Sequence, residues 1–309
     1  MVPSAVYADE LFVSTNKFSY SLGATINVYG TLTLLGNPIT DGLVAVQAED
    51  DSGNLRLIRV VSTGQVPPPC EVRIMEFLSC DSAGNPKSSF DRGEFAFFKV
   101  TVESLASFDV KTTIFFNLFD SVGRSIIVLF HAHSITPDEL FSYTESILIP
   151  HDFFLGAATC YVNVLIGNVL PAMPKFDGYP CCSEESVEIT VTGTGTEATS
   201  SELELSTGSE GSYGLSFKLP DTAPLGRYKI YVRARYNAWA SVAFDYFWLC
   251  TDVDRDGQIN ILDISIPAKA FGSKIGDSNY YGLADINEDN VINILDIAAI
   301  ATDYGKTMT

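Results

Sequence analysis

The sequence predicts a mainly β protein in which two antiparallel β-sandwiches, the second inserted into the first, precede a small α-helical C-terminal module with two metal-binding loops. Before residue 250, short runs alternate between apolar and polar residues, as from Ala24 to Leu34 and from Phe95 to Val102. This period of two is typical of strands. Turn signals separate the runs at short intervals, which favours antiparallel sandwiches over a parallel sheet. After residue 250, an acidic segment occurs twice and predicts the metal loops.

The first sandwich is predicted from two separated stretches, residues 9–66 and 203–250. The stretch from Val13 to Asn54 resembles the first half of the immunoglobulin-like, macroglobulin-type repeat of surface proteins. The second half of that repeat, with the form Gly-Ser-Tyr-x-Leu-x-Phe-x-Leu-Pro, matches residues 211–220, much later in the chain. The resemblance therefore implies an interrupted domain, because three sandwiches in a row would leave the first too short to close.

The second sandwich is predicted between these halves, over residues 69–194. Its strand series begins at Glu71 and closes with the run from Ser186 to Thr192, and the pattern resembles the CARDB-like adhesion sandwich. Pro67-Pro68-Pro69 and the Gly/Thr/Ser-rich stretch from Thr192 to Ser209 bracket it as linkers. Insertion into a host domain is tolerable because domain termini often lie close together.

The repeated acidic segment has the donor pattern of a calcium loop. Ca²⁺ takes six to eight oxygens, and alternate positions of a tight loop bring carboxylate and amide oxygens onto one ion, with a backbone carbonyl at position 7 and a carboxylate at position 12. We therefore expect two calcium ions, each held by one loop. The expected ligands of the first loop are Asp252, Asp254, Asp256, Gln258 and Asp263, and those of the second are Asp285, Asn287, Asp289, Val291 and Asp296.

A loop that ends in Asp, is followed by one helix and is repeated after a short linker resembles the dockerin type I module, here over residues 251–305. The six residues from Ile259 to Ile264 recur unchanged from Ile292 to Ile297. The resemblance implies calcium-dependent attachment to a cohesin-like protein, and pairing of the two loops through Ile259 and Ile292. Pro267 lies inside the first expected helix and should kink or shorten it.

Dockerins bind cohesins partly through positions 10 and 11 of each loop. Those positions hold two aliphatic pairs, Ile261-Leu262 and Ile294-Leu295. If exposed, the pairs would form an adhesive patch. The alternative is that they pack against the neighbouring sandwich of the same chain. The first arrangement favours an external partner, and the second favours a self-assembling structural subunit in which calcium is a structural ion.

Charge and cysteine content indicate where such a protein works. The chain of 309 residues has 19 basic and 38 acidic residues, a net charge of -19, which argues against nucleic acid and against anionic membranes as partners. No apolar run approaches the ~18 residues of a membrane span. Calcium loops that need millimolar ion belong outside the cell, where disulfides persist. We therefore expect an extracellular or cell-surface location.

The cysteines and the N-terminus leave alternatives open. Six cysteines, at 70, 80, 160, 181, 182 and 250, allow one, two or three disulfides. Cys70 with Cys80 would close a short loop, whereas Cys80 with Cys181 or Cys182 would join distant strands. Met1 to Ala8 has the small-residue pattern of a signal-peptide cleavage site, or is a disordered N-terminus.

No motif predicts catalysis. Nucleophile elbows, phosphate loops, zinc helices and dinucleotide fingerprints are missing from the sequence. His131 and His133 lie on one side of a predicted strand, but the sequence places no third ligand for a transition metal beside them. We therefore expect a non-enzymatic adhesion or scaffold protein. An accessory role in extracellular polysaccharide degradation remains an alternative, and a glycan or a second copy of the chain remains a candidate partner.

Overall fold

The computed structural model describes residues 10–167, 178–194, 205–207, 211–236, 239–254, 256–286 and 289–307. Met1 to Ala8, and most of the stretch from Thr192 to Ser209, lie outside the described residues. Within them, strands occupy the chain before residue 250 and the two α-helices follow it, so the mainly β fold with a small helical C-terminal module is confirmed. No helix among the described residues has the length and apolar character needed to cross a membrane.

The first pair of sheets combines strands from both ends of the β region. Its strands are β1 (Glu10–Thr15), β2 (Ser19–Tyr20), β3 (Ile26–Leu34), β4 (Asn37–Pro38), β5 (Leu43–Asp50), β6 (Leu55–Ser62), β16 (Leu205–Thr207), β17 (Ser212–Phe217), β18 (Gly226–Tyr236) and β19 (Trp239–Leu249). One sheet has the order β1-β3-β17-β16, with β4 on β3, and the other has the order β2-β19-β18-β5-β6. Strands far apart in sequence are therefore neighbours, as in the antiparallel pairs β3–β17 and β5–β18.

The core of this pair follows the alternation of β3, where Ile26, Val28 and Leu32 are buried between the sheets. Gly30 continues the same face, and only glycine fits there. A Cβ atom at this position would lie 2.0 Å from the carbonyl oxygen of Phe12. The hydroxyl of Tyr213 fills the space and donates a hydrogen bond of 2.6 Å to that carbonyl.

The second pair of sheets comes from the middle of the chain. Its strands are β7 (Val72–Cys80), β8 (Ser89–Asp91), β9 (Phe95–Ser104), β10 (Val110–Phe119), β11 (Ser125–Ile135), β12 (Leu140–Leu148), β13 (Gly156–Ile166), β14 (Tyr179–Pro180) and β15 (Glu185–Thr192). The sheet β11-β10-β13-β15-β8, with β14 on β13, faces the sheet β12-β9-β7. Phe115 and Phe116 of β10 are consecutive and therefore lie on opposite faces of the strand, yet both are buried. Phe116 belongs to the core between these two sheets, whereas Phe115 belongs to a separate cluster.

The two pairs of sheets pack against each other through apolar and charged contacts. Leu43 and Ile58 share a cluster with Phe115 and Leu165. The fully buried Arg59 forms an ion pair with Glu184, with a shortest N–O distance of 2.6 Å. Because a buried ion pair is costly unless its geometry is good, this contact depends on the two pairs of sheets keeping their orientation.

One disulfide joins Cys70 to Cys181, with a Cα–Cα distance of 5.3 Å. It closes a loop across 111 residues. It therefore links the beginning of the middle segment, the stretch from β7 to β15 that forms the second pair of sheets, to a point near the end of that segment. This is neither the short-loop pairing with Cys80 nor a pairing of Cys80 with Cys181 or Cys182. The remaining cysteines are free and buried: Cys80, Cys160, Cys182 and Cys250.

The C-terminal module consists of two short helices, α1 (Ile261–Lys269) and α2 (Ile294–Thr302), with a 3-10 turn, Gly282–Ala284, between them. Both helices have nine residues, so Pro267 does not shorten α1, and of the two expected effects only the kink stays a prediction. Pro267 and Ile300 occupy equivalent positions of the two repeats, and both are buried. The proline ring thus takes the place of the isoleucine side chain, and the helix loses one backbone hydrogen bond.

The expected pairing of the two loops through Ile259 and Ile292 is also wrong. Ile259 instead exchanges backbone hydrogen bonds with the C-terminal segment, donating to Lys306 at 2.9 Å and accepting from Gly305 at 2.7 Å. Ile292 is bonded in the same way to the segment that follows α1, Gly272 and Ser273. Each loop therefore pairs with the segment that leaves a helix. Both isoleucine side chains are fully buried in the module core.

Candidate metal centre

The first loop brings three carboxylates together. One oxygen from each of Asp252, Asp254 and Asp256 lies within 4.8 Å of the other two. The backbone holds them there, because the N–H of Gly257 donates to Asp252 at 2.9 Å and the N–H of Gln258 donates to Asp256 at 2.8 Å. Gly257 has a φ of 86°, the left-handed conformation that the sixth position requires and that glycine adopts without strain.

Asp263 joins this loop to α1. Its carboxylate is fully buried and accepts the N–H groups of Val253 at 2.6 Å and Asp254 at 3.2 Å from the start of the loop. It also accepts the N–H of Asn260 at 2.8 Å, while the Asn260 side chain caps the helix by accepting from Leu262. This reciprocal arrangement is a capping box, and it fixes the twelfth position beneath the other acidic residues.

The second loop repeats the frame. The Asp296 carboxylate is fully buried and accepts the N–H groups of Ile286 at 2.7 Å and Asn293 at 2.8 Å. Asp289 accepts from Val291 at 2.8 Å. Asn290 has a φ of 67°, so it adopts the left-handed conformation that Gly257 supplies in the first loop. Asn287, the predicted third-position ligand, lies outside the described residues.

Asp285 is the residue of the second loop whose surroundings best fit a bound cation. One carboxylate oxygen accepts the N–H of Asn290 at 2.9 Å and the hydroxyl of Tyr280 at 2.6 Å. Among the residues that the structure describes, none donates a hydrogen bond to the other oxygen, which is buried. Burial, followed by the neighbouring Asp285, raises the pKa of Tyr280 to about 12, so the phenol keeps its proton and remains a donor.

The donor set fits a calcium ion. It consists of oxygens alone, the hard ligands that Ca²⁺ prefers, and the first loop converges on one point. In the second loop, no described residue supplies the buried oxygen of Asp285 with the partner that a buried carboxylate needs. Asn260 and Asn293 donate from their amides to Asp256 at 3.4 Å and to Asp289 at 3.2 Å, which orients those carboxylates. The assignment of ten individual ligands stays a prediction.

The aliphatic pairs at positions 10 and 11 lie on the surface. Ile261 is 61% exposed and Leu262 53%, and Ile294 and Leu295 are 61% and 58% exposed. They occupy the first turn of each helix, directly after the capping asparagine. Of the two arrangements considered from the sequence, the structure has the one in which the pairs are not packed against the sandwich.

Two aromatic residues at equivalent positions extend the apolar surface of the module. Phe271 and Tyr304 directly follow the ends of the two helices, and they are 54% and 56% exposed. Sequence reasoning used these positions only to recognise the duplication. The signal that could have identified them was present there, because each is a large apolar side chain placed immediately before a glycine, where the helix has already ended.

Among the described residues, His131 and His133 are not part of a group of three side chains placed to hold a metal ion, although Glu139 lies 3.6 Å from His133. Their rings stack on Tyr143 and Phe141 of β12, with centroid distances of 3.9 and 3.8 Å. They thus join the edge strands of two facing sheets. Burial, together with the charge of His133, lowers the pKa of His131.

Comparisons with known proteins agree with this description of the C-terminus. Residues 250–302 match the family model of the dockerin type I domain. Domains of this family bind calcium and attach their proteins to cohesin partners. No curated protein matches the chain as a whole.

Solved structures resemble parts of this chain only weakly, with TM-scores well below 0.5. The C-terminal domain of Wzt has a TM-score of 0.33 and 12% identity, over 43% of this chain and 84% of that one. The CARDB domain of a Pyrococcus furiosus protein, solved with two metal ions, has a TM-score of 0.25 and 9% identity, over 50% and 95%. The DNA glycosylase AlkC of Pseudomonas fluorescens has a TM-score of 0.28 and 14% identity, over 40% of this chain, which spans only 31% of AlkC.

Proposed function

We propose that this chain is a non-enzymatic extracellular or cell-surface protein that attaches to a cohesin-like partner through its C-terminal module when calcium is bound. The exposed aliphatic pairs at 261–262 and 294–295 carry this proposal. Exposed apolar side chains grouped on one small module are a typical protein-binding surface. Their position on the first helical turn, next to the predicted twelfth ligands, makes their presentation depend on the loops.

Calcium is proposed to act by folding the module. In the first loop, Asp252, Asp254, Asp256 and Asp263 gather four negative charges, which repel one another unless a cation neutralises them. A module of about fifty residues has a small core, so metal binding supplies much of its folding free energy. Loop two has three carboxylates, and we expect its ion to bind more weakly. Calorimetry with two equal affinities would contradict that expectation.

A capture experiment tests the proposal. Immobilised type I cohesin domains are expected to retain the full chain in calcium and to release it in chelator. Replacing all four aliphatic residues by aspartate should abolish retention, because apolar burial is lost and like charges enter the interface. A single pair can be replaced first, since the duplication offers two equivalent surfaces.

Two controls make the capture result interpretable. Calorimetry of the fourfold variant should still detect calcium binding, which demonstrates that its module folds. Leu140→Asp together with Phe108→Asp changes exposed apolar residues of the middle segment, 60% and 59% exposed, and should leave retention unchanged. Retention that is indifferent to chelator, or that survives the fourfold change, would refute the proposal.

A second candidate function has its own supporting observation. The hydroxyl of Ser21 donates a 2.7 Å hydrogen bond to the carbonyl of Ile286, so the module also contacts its own sandwich. This contact favours calcium as a structural ion in a self-assembling surface subunit. The exposed pairs lie elsewhere on the module, and for that reason we place external attachment first. Sedimentation of the full chain in calcium discriminates, because self-assembly predicts concentration-dependent oligomers without a partner.

We further propose three domains: a discontinuous sandwich of residues 9–66 and 203–250, an inserted sandwich of residues 69–194, and the module of residues 251–305. The interleaving of β3 with β17 and of β5 with β18 supports the discontinuous host. In this arrangement the sandwiches act as a stalk or adhesive surface. Limited proteolysis tests the division, since the first cuts should fall at the proposed boundaries.

A further inference from the structure

The last strand of the first pair of sheets leads into the first calcium loop without a linker. Strand β19 ends at Leu249, and the first predicted ligand is Asp252. The N–H of Cys250, between them, donates a 2.8 Å hydrogen bond to the carbonyl of Tyr20, which continues the pairing of β19 with β2. The orientation of the loop is therefore set by the sheet up to two residues before the first ligand.

The second loop is held by the same edge of the sandwich. Ser21, directly after β2, donates its hydroxyl to the carbonyl of Ile286 at 2.7 Å. The N–H of Ile286 in turn donates to the predicted ligand Asp296 at 2.7 Å. The backbone of Ile286 is thus hydrogen-bonded to a sandwich side chain through its carbonyl and to a predicted ligand carboxylate through its amide.

Val253 holds the corresponding place in the first loop. Its N–H donates to Asp263 at 2.6 Å, and its side chain lies in the same apolar cluster as that of Ile286. Leu225, from the turn before β18 of the sandwich, packs against this cluster. In both loops, the residue after the first predicted ligand therefore makes two contacts. Its N–H donates to the twelfth-position carboxylate, and its side chain lies in the apolar cluster against which Leu225 of the sandwich packs.

The first-position carboxylates also face the sandwich. Asp252 and Asp285 line one small cavity together with Lys17 and Ser21. The calcium loops and the contact with the sandwich therefore share residues and do not occupy opposite ends of the module.

From this arrangement we infer that the contact between module and sandwich is a calcium-linked interface, formed by Ser21 and Leu225 on one side and by Val253 and Ile286 on the other. The inference rests on the proposed calcium binding and goes further. Ions that fix Asp263 and Asp296 also fix the two residues that touch the sandwich. Calcium then sets the direction in which the exposed aliphatic pairs point. By linkage, the sandwich must strengthen calcium binding by the same factor.

The reciprocal effect is the sharper test, because it mutates residues of the sandwich that are not themselves predicted calcium ligands. Full-length protein with Ser21→Ala and Leu225→Ala is compared with wild type by calcium calorimetry. Loss of one hydrogen bond of ordinary strength and of part of an apolar contact is expected to weaken calcium binding at least about fivefold. The control variant, Ser146→Ala with Leu148→Ala on the exposed face of β12, should bind calcium as wild type does.

Hydrogen exchange on the wild-type chain gives a second readout that requires no mutation. Chelation is expected to raise the exchange rate of the Cys250 amide at least about tenfold, because this is the last hydrogen bond of the β2–β19 pairing before the module begins, two residues before the predicted ligand Asp252. The amide of Trp248 donates to Phe18 at 2.8 Å within the same sandwich edge and should keep its protection. If both amides respond alike, the sheet edge frays as a whole and the inference is overturned.

The outcomes separate this inference from the proposed function. If wild type binds no calcium, the proposed function fails, and this inference fails with it. If wild type binds calcium but the double variant binds it within about twofold as tightly, and Cys250 exchanges equally with and without chelator, only the inference is overturned. Weaker calcium binding by the double variant, with calcium-dependent protection at Cys250, supports it.

Discussion

Replacing Asp263 by alanine should separate the structural part of the calcium loop from its ionic part. The Asp263 carboxylate is fully buried and accepts three backbone N–H groups, at 2.6, 3.2 and 2.8 Å. Hydrogen bonds to a charged group contribute about 1.5–3 kcal/mol each, and the contributions are not additive. Loss of the reciprocal cap adds about 1 kcal/mol. We therefore expect the loss of these contacts alone to lower the local stability of the folded module by about 3–5 kcal/mol, in addition to any effect of losing the ion.

In calcium, the same variant should also lose the first ion, since the twelfth-position carboxylate completes the oxygen shell. The assay is calorimetry for the number of ions, together with hydrogen exchange of the α1 amides with and without chelator. Exchange reports the local stability of α1 even though the full chain has other cores that unfold separately.

The matched control is Asp303→Ala. Asp303 is a buried carboxylate of the same module, bonded to the Thr251 hydroxyl at 2.9 Å and to Lys306 at 2.7 Å, but it is not a predicted ligand. Its loss should destabilise the module and leave the number of ions unchanged. The reasoning is refuted if Asp263→Ala still binds as many ions as wild type, or if α1 exchanges no faster than before.

Three further predictions concern the sandwiches. Burial raises the pKa of the free thiols, that of Cys182 to about 12, so native protein should resist alkylation, and unfolding without reductant should release the four thiols outside the Cys70–Cys181 bridge. Arg59→Ala leaves Glu184 buried without its partner and should cost about 3–5 kcal/mol in denaturant unfolding, and a loss below about 1 kcal/mol would contradict this. The lowered pKa of His131 means that the unfolded chain binds this proton more readily, so stability should fall as the pH drops below about 6.5. An NMR titration that gives His131 an unshifted or raised pKa would refute that.

The local sequence was sufficient to recognise the two repeated acidic loops. Their ligands are separated by fixed short spacings, and a positive φ at the sixth position needs only Gly257 or Asn290. Because all these requirements lie within twelve residues, no distant contact is needed to recognise them. The strands of the β region were equally readable, since alternation reports burial of one face.

Features that depend on distant partners were not readable in the same way. The loops do not pair through Ile259 and Ile292, because segments leaving the helices supply the bonding partners. Pro267 does not shorten α1, since a buried position accepts its ring in place of an isoleucine. The Cys70–Cys181 pairing depends on where the middle segment begins and nearly ends in space. In each case the outcome depends on which surface is nearby in the folded chain.

The sequence by itself determined that this protein is mainly β and ends in a duplicated acidic loop with the ligand spacing expected for calcium, because periodicity and spacing act over a few residues. Only the tertiary structure decided that Ile261-Leu262 and Ile294-Leu295 are exposed, and that Ser21 and Leu225 contact the module from the sandwich. An apolar pair has the same sequence whether it is buried or exposed. Which face of the module the sandwich contacts depends on chain segments more than two hundred residues away, as the 265-residue separation of Ser21 from Ile286 illustrates.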